Sequence, residues 1–499
     1  MVFLVGKVFE EVTIMAVEVT RLKNAKYKKY LYIVIMFAIY FIVGALPPFG
    51  GITAYGMKIL GITVALLWGW IVIDMVWPSL CAFVMFHLSG YLPIMQGLVA
   101  GIGNETVLQN LILMAFAAAV TQIGVSDSIA GWLISKKVFV GKPMLLVVVL
   151  MFGVMVLSML GGGIAVVFLM WDLLRKICDA NGISTQNNMA LGALMALTVY
   201  NSMLGFILPW QPLVYVFGQF WQTGSGLPIP AMGFFYCGLV FAILSIVLML
   251  LVFKFVLRAD FSGFLITEEI CEEYGKKKPT IYQKAGLILL LVYISVLLLG
   301  NFFKETAFFT FTNGLGVVGL SIVYMIIFAI WRNAENKPVL NVAKTLESTP
   351  WSVILLLAAV IPLTGALQST DTGIISTVVG AIYPIVSGFG PTSFIIICTI
   401  LLCLLTQVLP NFICAAFFFP ILTPILIQLG GNPGIFLFTA TAALMSAYGT
   451  PSGNMFAPLV FGNSTIGRKV GYLTGWIYVV VVLVILCGLI PLWNVLISL

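Results

Sequence analysis

Charged side chains make up only 8% of the chain, and histidine occurs once, at His87. So little charge excludes a water-soluble surface and the basic face that nucleic acid demands; the net charge of +7 reflects loops instead. A solitary histidine argues against a His-built metal site, and His87 is expected to be a packing residue. The eight cysteines (Cys81, Cys178, Cys237, Cys271, Cys398, Cys403, Cys414, Cys487) lie mostly in apolar runs and include no Cys-x-x-Cys pair, so they read as reduced packing residues. No Gly-x-x-x-x-Gly-Lys-Ser/Thr loop is present, which argues against an ATP-driven pump. The longest charged loop, Asp260 to Lys284, has about 25 residues, too few for a soluble catalytic domain.

What is abundant is apolar surface. With 62% hydrophobic residues and a mean hydropathy of +1.15 over 499 residues, no soluble core could hide it. Many runs reach the roughly 20 residues that cross a bilayer. The chain therefore reads as an all-α polytopic membrane protein. Residues 1–29 are interrupted by Glu10, Glu11, Glu18, Arg21, Lys23, Lys26, Lys28 and Lys29, which suits a cytoplasmic helix along the interface better than a cleaved signal.

Spans are expected near 30–47, 58–76, 78–92, 109–125, 229–257, 285–302, 313–331, 351–367 and 470–493, with two broken spans at 188–220 and 433–462. That makes about eleven transmembrane helices. Residues 144–177 and 391–428 instead form paired arms, around Gly161-Gly162-Gly163 and Pro410-Asn411, that are too short to cross comfortably and suit re-entrant hairpins. With a cytoplasmic N-terminus this layout puts all of the 24 Lys and Arg except Lys58 and Lys304 inside, in accord with the positive-inside rule.

Two stretches organise the second half: Thr406-Gln407-Val408-Leu409-Pro410-Asn411-Phe412, and Tyr448-Gly449-Thr450-Pro451-Ser452-Gly453-Asn454, a polar, helix-breaking patch inside an apolar segment. Non-helical backbone at membrane depth is tolerated only where protein or a water-filled cavity covers it, and paired breaks in the two halves of a chain point to a substrate site. A repeat supports the pairing. Ser126-Asp127-Ser128 recurs 244 residues later as Thr370-Asp371-Thr372, Val216-Phe217-Gly218 recurs at the same offset as Val460-Phe461-Gly462, and Gly205 matches Gly449. Each half runs span, hairpin, broken span, and the halves start on opposite sides, so they are expected to be inverted repeats.

The second half resembles the divalent anion:sodium symporter family of the ion transporter superfamily. Its members carry two hairpins tipped by Ser-Asn-Thr and a second-half break reading like Ala-Thr-Pro-Pro-Asn. Pro410-Asn411-Phe412 stands where the second tip belongs and keeps its Asn; Thr406 matches a position that serves the sodium site in relatives. Gly449-Thr450-Pro451-Ser452-Gly453-Asn454 matches the break, whereas the first tip has become Gly161-Gly162-Gly163 and Ser202 to Pro209 fits the first break loosely. This looks like a divergent branch. The resemblance implies an elevator-type transporter of small anions, with di- or tricarboxylates foremost, a sodium coupling ion and a homodimer.

It also implies a division of the chain. Residues 1–29 form the interfacial helix, 30–142 and 284–390 the scaffold, 143–258 and 391–499 the transport unit with its hairpins, broken helices and long helices, and 259–283 a charged cytoplasmic loop. The substrate site is expected at Gly161, Gly162, Gly163, Ser202, Pro410, Asn411, Phe412, Thr450, Pro451 and Ser452, and sodium at Thr406, Asn411, Gly449 and Gly205. The chemistry fits an anion held without a buried cation. Freed N–H groups at half-helix N-termini, each end equivalent to roughly half a charge, face the anion, while unwound carbonyls and hydroxyls offer sodium its oxygens.

Among the acids, Asp74 lies near the end of the second span, Asp127 and Asp371 are expected to cap interfacial helices, and Asp172 is expected to pair with Arg175 three residues on. A proton-coupled or exchange carrier is the second reading, motivated by the altered first tip. A membrane-embedded enzyme is the third, and it lacks a clustered constellation of acid–base or metal-binding groups.

Overall fold

The computed structural model describes residues 30–499 apart from 126, 127, 130, 131, 133, 134, 160–162, 186, 187, 206–210, 277, 300–302, 304, 305, 452 and 455. In chain order its helices are α1 Tyr30–Gly44, α2 Ala54–Val72, α3 Val76–Ser89, α4 Ile94–Gly101 and α5 Glu105–Ile123. Next come α6 Pro143–Met159, α7 Gly163–Ala180, α8 Met189–Leu204, α9 Pro212–Ser225 and α10 Ala231–Leu251. The middle of the chain forms α11 Glu268–Lys276, α12 Ile281–Leu299, α13 Ala307–Ile330, α14 Val342–Glu347, α15 Trp351–Gln368 and α16 Ile374–Val386. The last part forms α17 Pro391–Leu405, α18 Asn411–Gln428, α19 Pro433–Met445, α20 Ala457–Phe461, α21 Arg468–Gly488 and α22 Ile490–Ile497.

Among the described residues, 7 helices (α2, α5, α10 with its π-helical extension, α13, α15, α18 and α21) are long and apolar enough to cross a bilayer. The pair α16 and α17, bent by 115°, passes the same test jointly. Shorter apolar helices, α1, α3, α6, α8, α12 and α19 among them, fill the remaining expected positions. This is a polytopic all-α membrane protein.

The described residues divide into two compact units. One takes in the chain up to Val107 together with Trp351–Ala381; the other takes in Leu108–Pro350 and Ile382–Leu499. In the first, capping chemistry sets boundaries that hydropathy misplaces. The second helix begins at Ala54 rather than near 58 because the Thr53 hydroxyl accepts from the Gly56 N–H. Asp74 receives the N–H groups of Val76 and Trp77 at 2.9 and 2.8 Å and so starts α3. At Asp371 the expectation is corrected: the cap of the 3-10 turn Thr370–Thr372 is Ser369, which accepts from the Asp371 N–H. His87 is likewise exposed in the last turn of α3 and not packed inside. Pro362, inside α15, lacks the N–H that would bond the Ala358 carbonyl. Gly101 of α4 lies against that carbonyl, where a side chain would not fit.

The second unit holds both helix–turn–helix pairs. The repeat shows in the helix starts: α6 and α17 begin 248 residues apart, each with a proline (Pro143, Pro391), and α7 and α18 begin 248 apart. α8 and α19 begin 244 apart, each behind an asparagine cap. Asn188 accepts from the Leu191 N–H and Asn432 from the Gly434 N–H. Elsewhere in this unit Tyr293, Tyr324 and Phe328 of α12 and α13 pack with Ala119 and Val120 of α5 in a separate apolar core.

Candidate functional site

In the second half α17 ends at Leu405, the chain turns over Thr406–Leu409, and Pro410 precedes α18. Proline has no N–H and no side chain to close the helix end, so the first-turn N–H groups at Asn411 and Phe412 meet no side-chain cap. Asn411 is 8% exposed, and the buried Thr406 hydroxyl has no hydrogen-bond partner. The Phe412 ring packs edge-on against Phe217 of α9, with centroids 5.6 Å apart.

The turn is fastened to the break that follows α19. Gln407 accepts the Gly449 N–H at 2.8 Å on its side-chain oxygen and donates its amide to the Cys403 carbonyl at 2.8 Å. Its backbone carbonyl accepts the Thr450 hydroxyl. Gly449 is required there, since a Cβ would come within 2.9 Å of both Gln407 Oε1 and the Trp476 ring. Pro451 is exposed, and Ser452 lies outside the described residues. Asn454 closes the break by donating to the Ala447 carbonyl and receiving the N–H groups of Phe456 and Ala457 ahead of α20.

The first half repeats the scheme with different side chains. Gly163 opens α7, while Gly161, Gly162 and Pro209 lie outside the described residues. α6 ends at Met159, whose carbonyl receives the Gln211 amide at 2.8 Å. Gly205, just past α8, allows that approach: a Cβ would stand 2.6 Å from the Met159 N and 2.8 Å from Ser158. The Ser202 hydroxyl donates to the Val199 carbonyl at 2.7 Å and is engaged within its own helix. Two buried residues not singled out from sequence are unsatisfied here. The Ser158 hydroxyl has no partner, nor does either atom of the Asn201 amide. Lone polar side chains in apolar helices, such as Asn201, were the available signal.

The two breaks meet through aromatic residues. Tyr448 donates to the Val199 carbonyl at 3.2 Å, and Tyr200 packs between Tyr448 and Tyr478 with ring centroids 4.5 and 4.9 Å away. No formal charge enters either break: residues 180–253 and 372–467 contain no Asp, Glu, Lys, Arg or His. Asp172 stands apart from the tip, exposed, and pairs with Lys176 at 3.5 Å instead of Arg175, since a helix brings i and i+4 onto one face. Lys176 also reaches Glu273 at 3.0 Å.

A family model described as "Citrate transporter" (CitMHS) matches residues 64–416, from α2 through the first hairpin and first break to the second tip. The crystal structure of the Alcanivorax borkumensis YdaH transporter, reported to have an unusual topology, superposes with a TM-score of 0.60 at 14% sequence identity, covering 88% of this chain and 98% of that one. That likeness bears on the fold. No curated protein matches the chain. The anion-carrier resemblance of the second-half motifs agrees with the family match, which makes this protein a secondary anion transporter of the membrane and no enzyme. With most of its length under the family model, the chain belongs to the citrate transporter family.

Proposed function

We propose that the protein carries di- or tricarboxylates of the citrate class together with sodium, by an elevator-type movement of residues 143–258 and 391–499 against a scaffold of 30–142 and 284–390. The observation that carries this reading is the absence of formal charge across 180–253 and 372–467 combined with orphaned oxygen ligands at both turns. Desolvating an ion costs several kcal/mol even after relaxation, and here no lysine or arginine can offset that cost. Two sources of positive potential remain. One is the uncapped helix start at Asn411 and Phe412; the other is a co-bound cation, for which Thr406, Asn201 and Ser158 supply unpartnered side-chain oxygens and Gly205 and Gly449 backbone oxygen. Sodium, a hard cation that binds oxygen ligands, suits such donors.

The same absence of Asp, Glu and His from the breaks weighs against a proton relay, so a proton-coupled carrier would have to carry its proton on the substrate. Inverted halves, a homodimer, a cytoplasmic N-terminus and a bacterial plasma membrane complete the proposal. Uptake of labelled citrate and succinate into proteoliposomes under an inward sodium gradient tests it. Uptake that collapses when choline replaces sodium is the expected result. Uptake indifferent to that replacement would favour proton coupling or exchange, and no uptake of any anion would overturn the reading.

A further inference from the structure

Gln407 was not among the residues expected at the site, yet its side chain and its backbone carbonyl together join the turn to the break. From one buried position, 2% exposed, it holds three backbone or hydroxyl groups of two elements. Its amide orientation is unambiguous: the Gly449 N–H can only donate and the Cys403 carbonyl can only accept. We infer that Gln407 is a positioning residue for transport, a latch that fixes the spacing between the turn of the second hairpin and the break at Gly449-Thr450. This rests on the transporter reading above and adds to it the residue that sets the geometry of the binding groups.

The placement supports the inference. Thr406 precedes Gln407 directly and Asn411 follows four residues on, so the hydroxyl and the helix start that would meet ion and anion move with the turn that Gln407 fastens. On the other side Tyr448, next to Gly449, is tied to the Val199 carbonyl of α8. A shift of the turn against the break would therefore separate ligands contributed by three elements. The first half has a counterpart of reversed polarity, in which Gln211, just before α9, donates to the Met159 carbonyl at the end of α6. In both halves, thus, one glutamine ties the first arm of the pair, or the turn after it, to the broken segment that follows.

Two substitutions separate positioning from mere packing. Gln407→Met keeps the shape and removes both amide bonds. Gln407→Glu restores both only when the new carboxyl is protonated, since its O–H then replaces the amide donor to Cys403 and its carbonyl oxygen still accepts from Gly449. Burial favours that protonated form. The titratable groups nearest the site are Cys403 of α17, Cys487 and Tyr478 of α21, and Tyr448 of the break. Thiols and phenols ordinarily ionise in the alkaline range, and no Asp, Glu, Lys, Arg or His occurs between 372 and 467, so within that stretch the introduced carboxyl is the group that titrates between about pH 5.5 and 8.

The experiment is sodium-driven citrate uptake by proteoliposomes holding equal amounts of folded wild type, Gln407→Met and Gln407→Glu, with half-saturation and maximal rate measured across that pH range. For Gln407→Met the expected result is a half-saturation concentration raised about tenfold at every pH, with the maximal rate per folded molecule changed less than about twofold. For Gln407→Glu the ratio of its half-saturation to that of wild type should approach one at about pH 5.5 and rise toward the methionine value at about pH 8. A methionine variant with wild-type half-saturation, or a glutamate ratio flat across pH, would overturn the inference. So would loss of folded protein in both variants, which would assign Gln407 to structure alone. Wild type that takes up no anion refutes the transporter proposal instead, so the two failures are distinguishable.

Discussion

Asn201 is 0% exposed with both polar atoms of its amide unpartnered, an arrangement that costs on the order of 1–3 kcal/mol per orphaned group and that packing alone would not favour. Asn201→Leu should therefore leave thermal unfolding of the solubilised protein unchanged or raise its midpoint, while uptake falls at least tenfold. A lowered midpoint with intact uptake would assign Asn201 to packing. Asn411, at the start of α18, carries a different load. Asn411→Ala should abolish transport while folded protein still reaches the membrane, as judged by uptake and by size-exclusion profile. Asn411 could be proposed from sequence because an Asn between two apolar arms is conspicuous. Gln211 and Gln407 could not, because each matters through a partner 52 or 42 residues away in the chain.

Helix ends in this protein are set by single side chains. Thr53, Asn188 and Asn432 each accept an N–H of the first turn. The two asparagines occupy equivalent places in the repeat. Asn188→Ala and Asn432→Ala should each lower stability by about 1 kcal/mol, by similar amounts in the two halves, as read from thermal unfolding of the solubilised variants. The paired arms at 144–177 and 391–428 were visible as elements because each lies between a bilayer-spanning length and half of one. Their ends were not, since hydropathy does not register a cap. α18 shows the limit of length as a criterion. At 18 residues it passes for a span, and what marks it as one arm of a pair is the turn at Thr406–Leu409 and its fastening to Gly449. The pairing of Asp172 with Lys176 rather than Arg175 is a similar case, in which both partners were allowed by helical periodicity and the surrounding surface chose.

At the scale of the whole molecule, the near absence of charge and the long apolar runs determined an all-α membrane protein, and the recurrence at a 244-residue offset determined that its halves correspond. The family match and the transporter-like fold agree with the first of these, and the helix starts 244 to 248 residues apart in the two halves agree with the second. The proposed sodium dependence and the proposed movement of one unit belong to this scale too, and the choline replacement experiment reads the first of them. Hydropathy and spacing act along the chain, so they report which segments enter the lipid and where the helices fail. The tertiary structure alone decided that the second turn closes on Gly449 through Gln407, that Tyr448 joins the two breaks, and that Ser158, Asn201 and Thr406 remain unpartnered. The physical reason is that a hydrogen bond in a water-poor interior is satisfied or orphaned by whatever group packing brings within about 3 Å, and that group is rarely a neighbour in sequence.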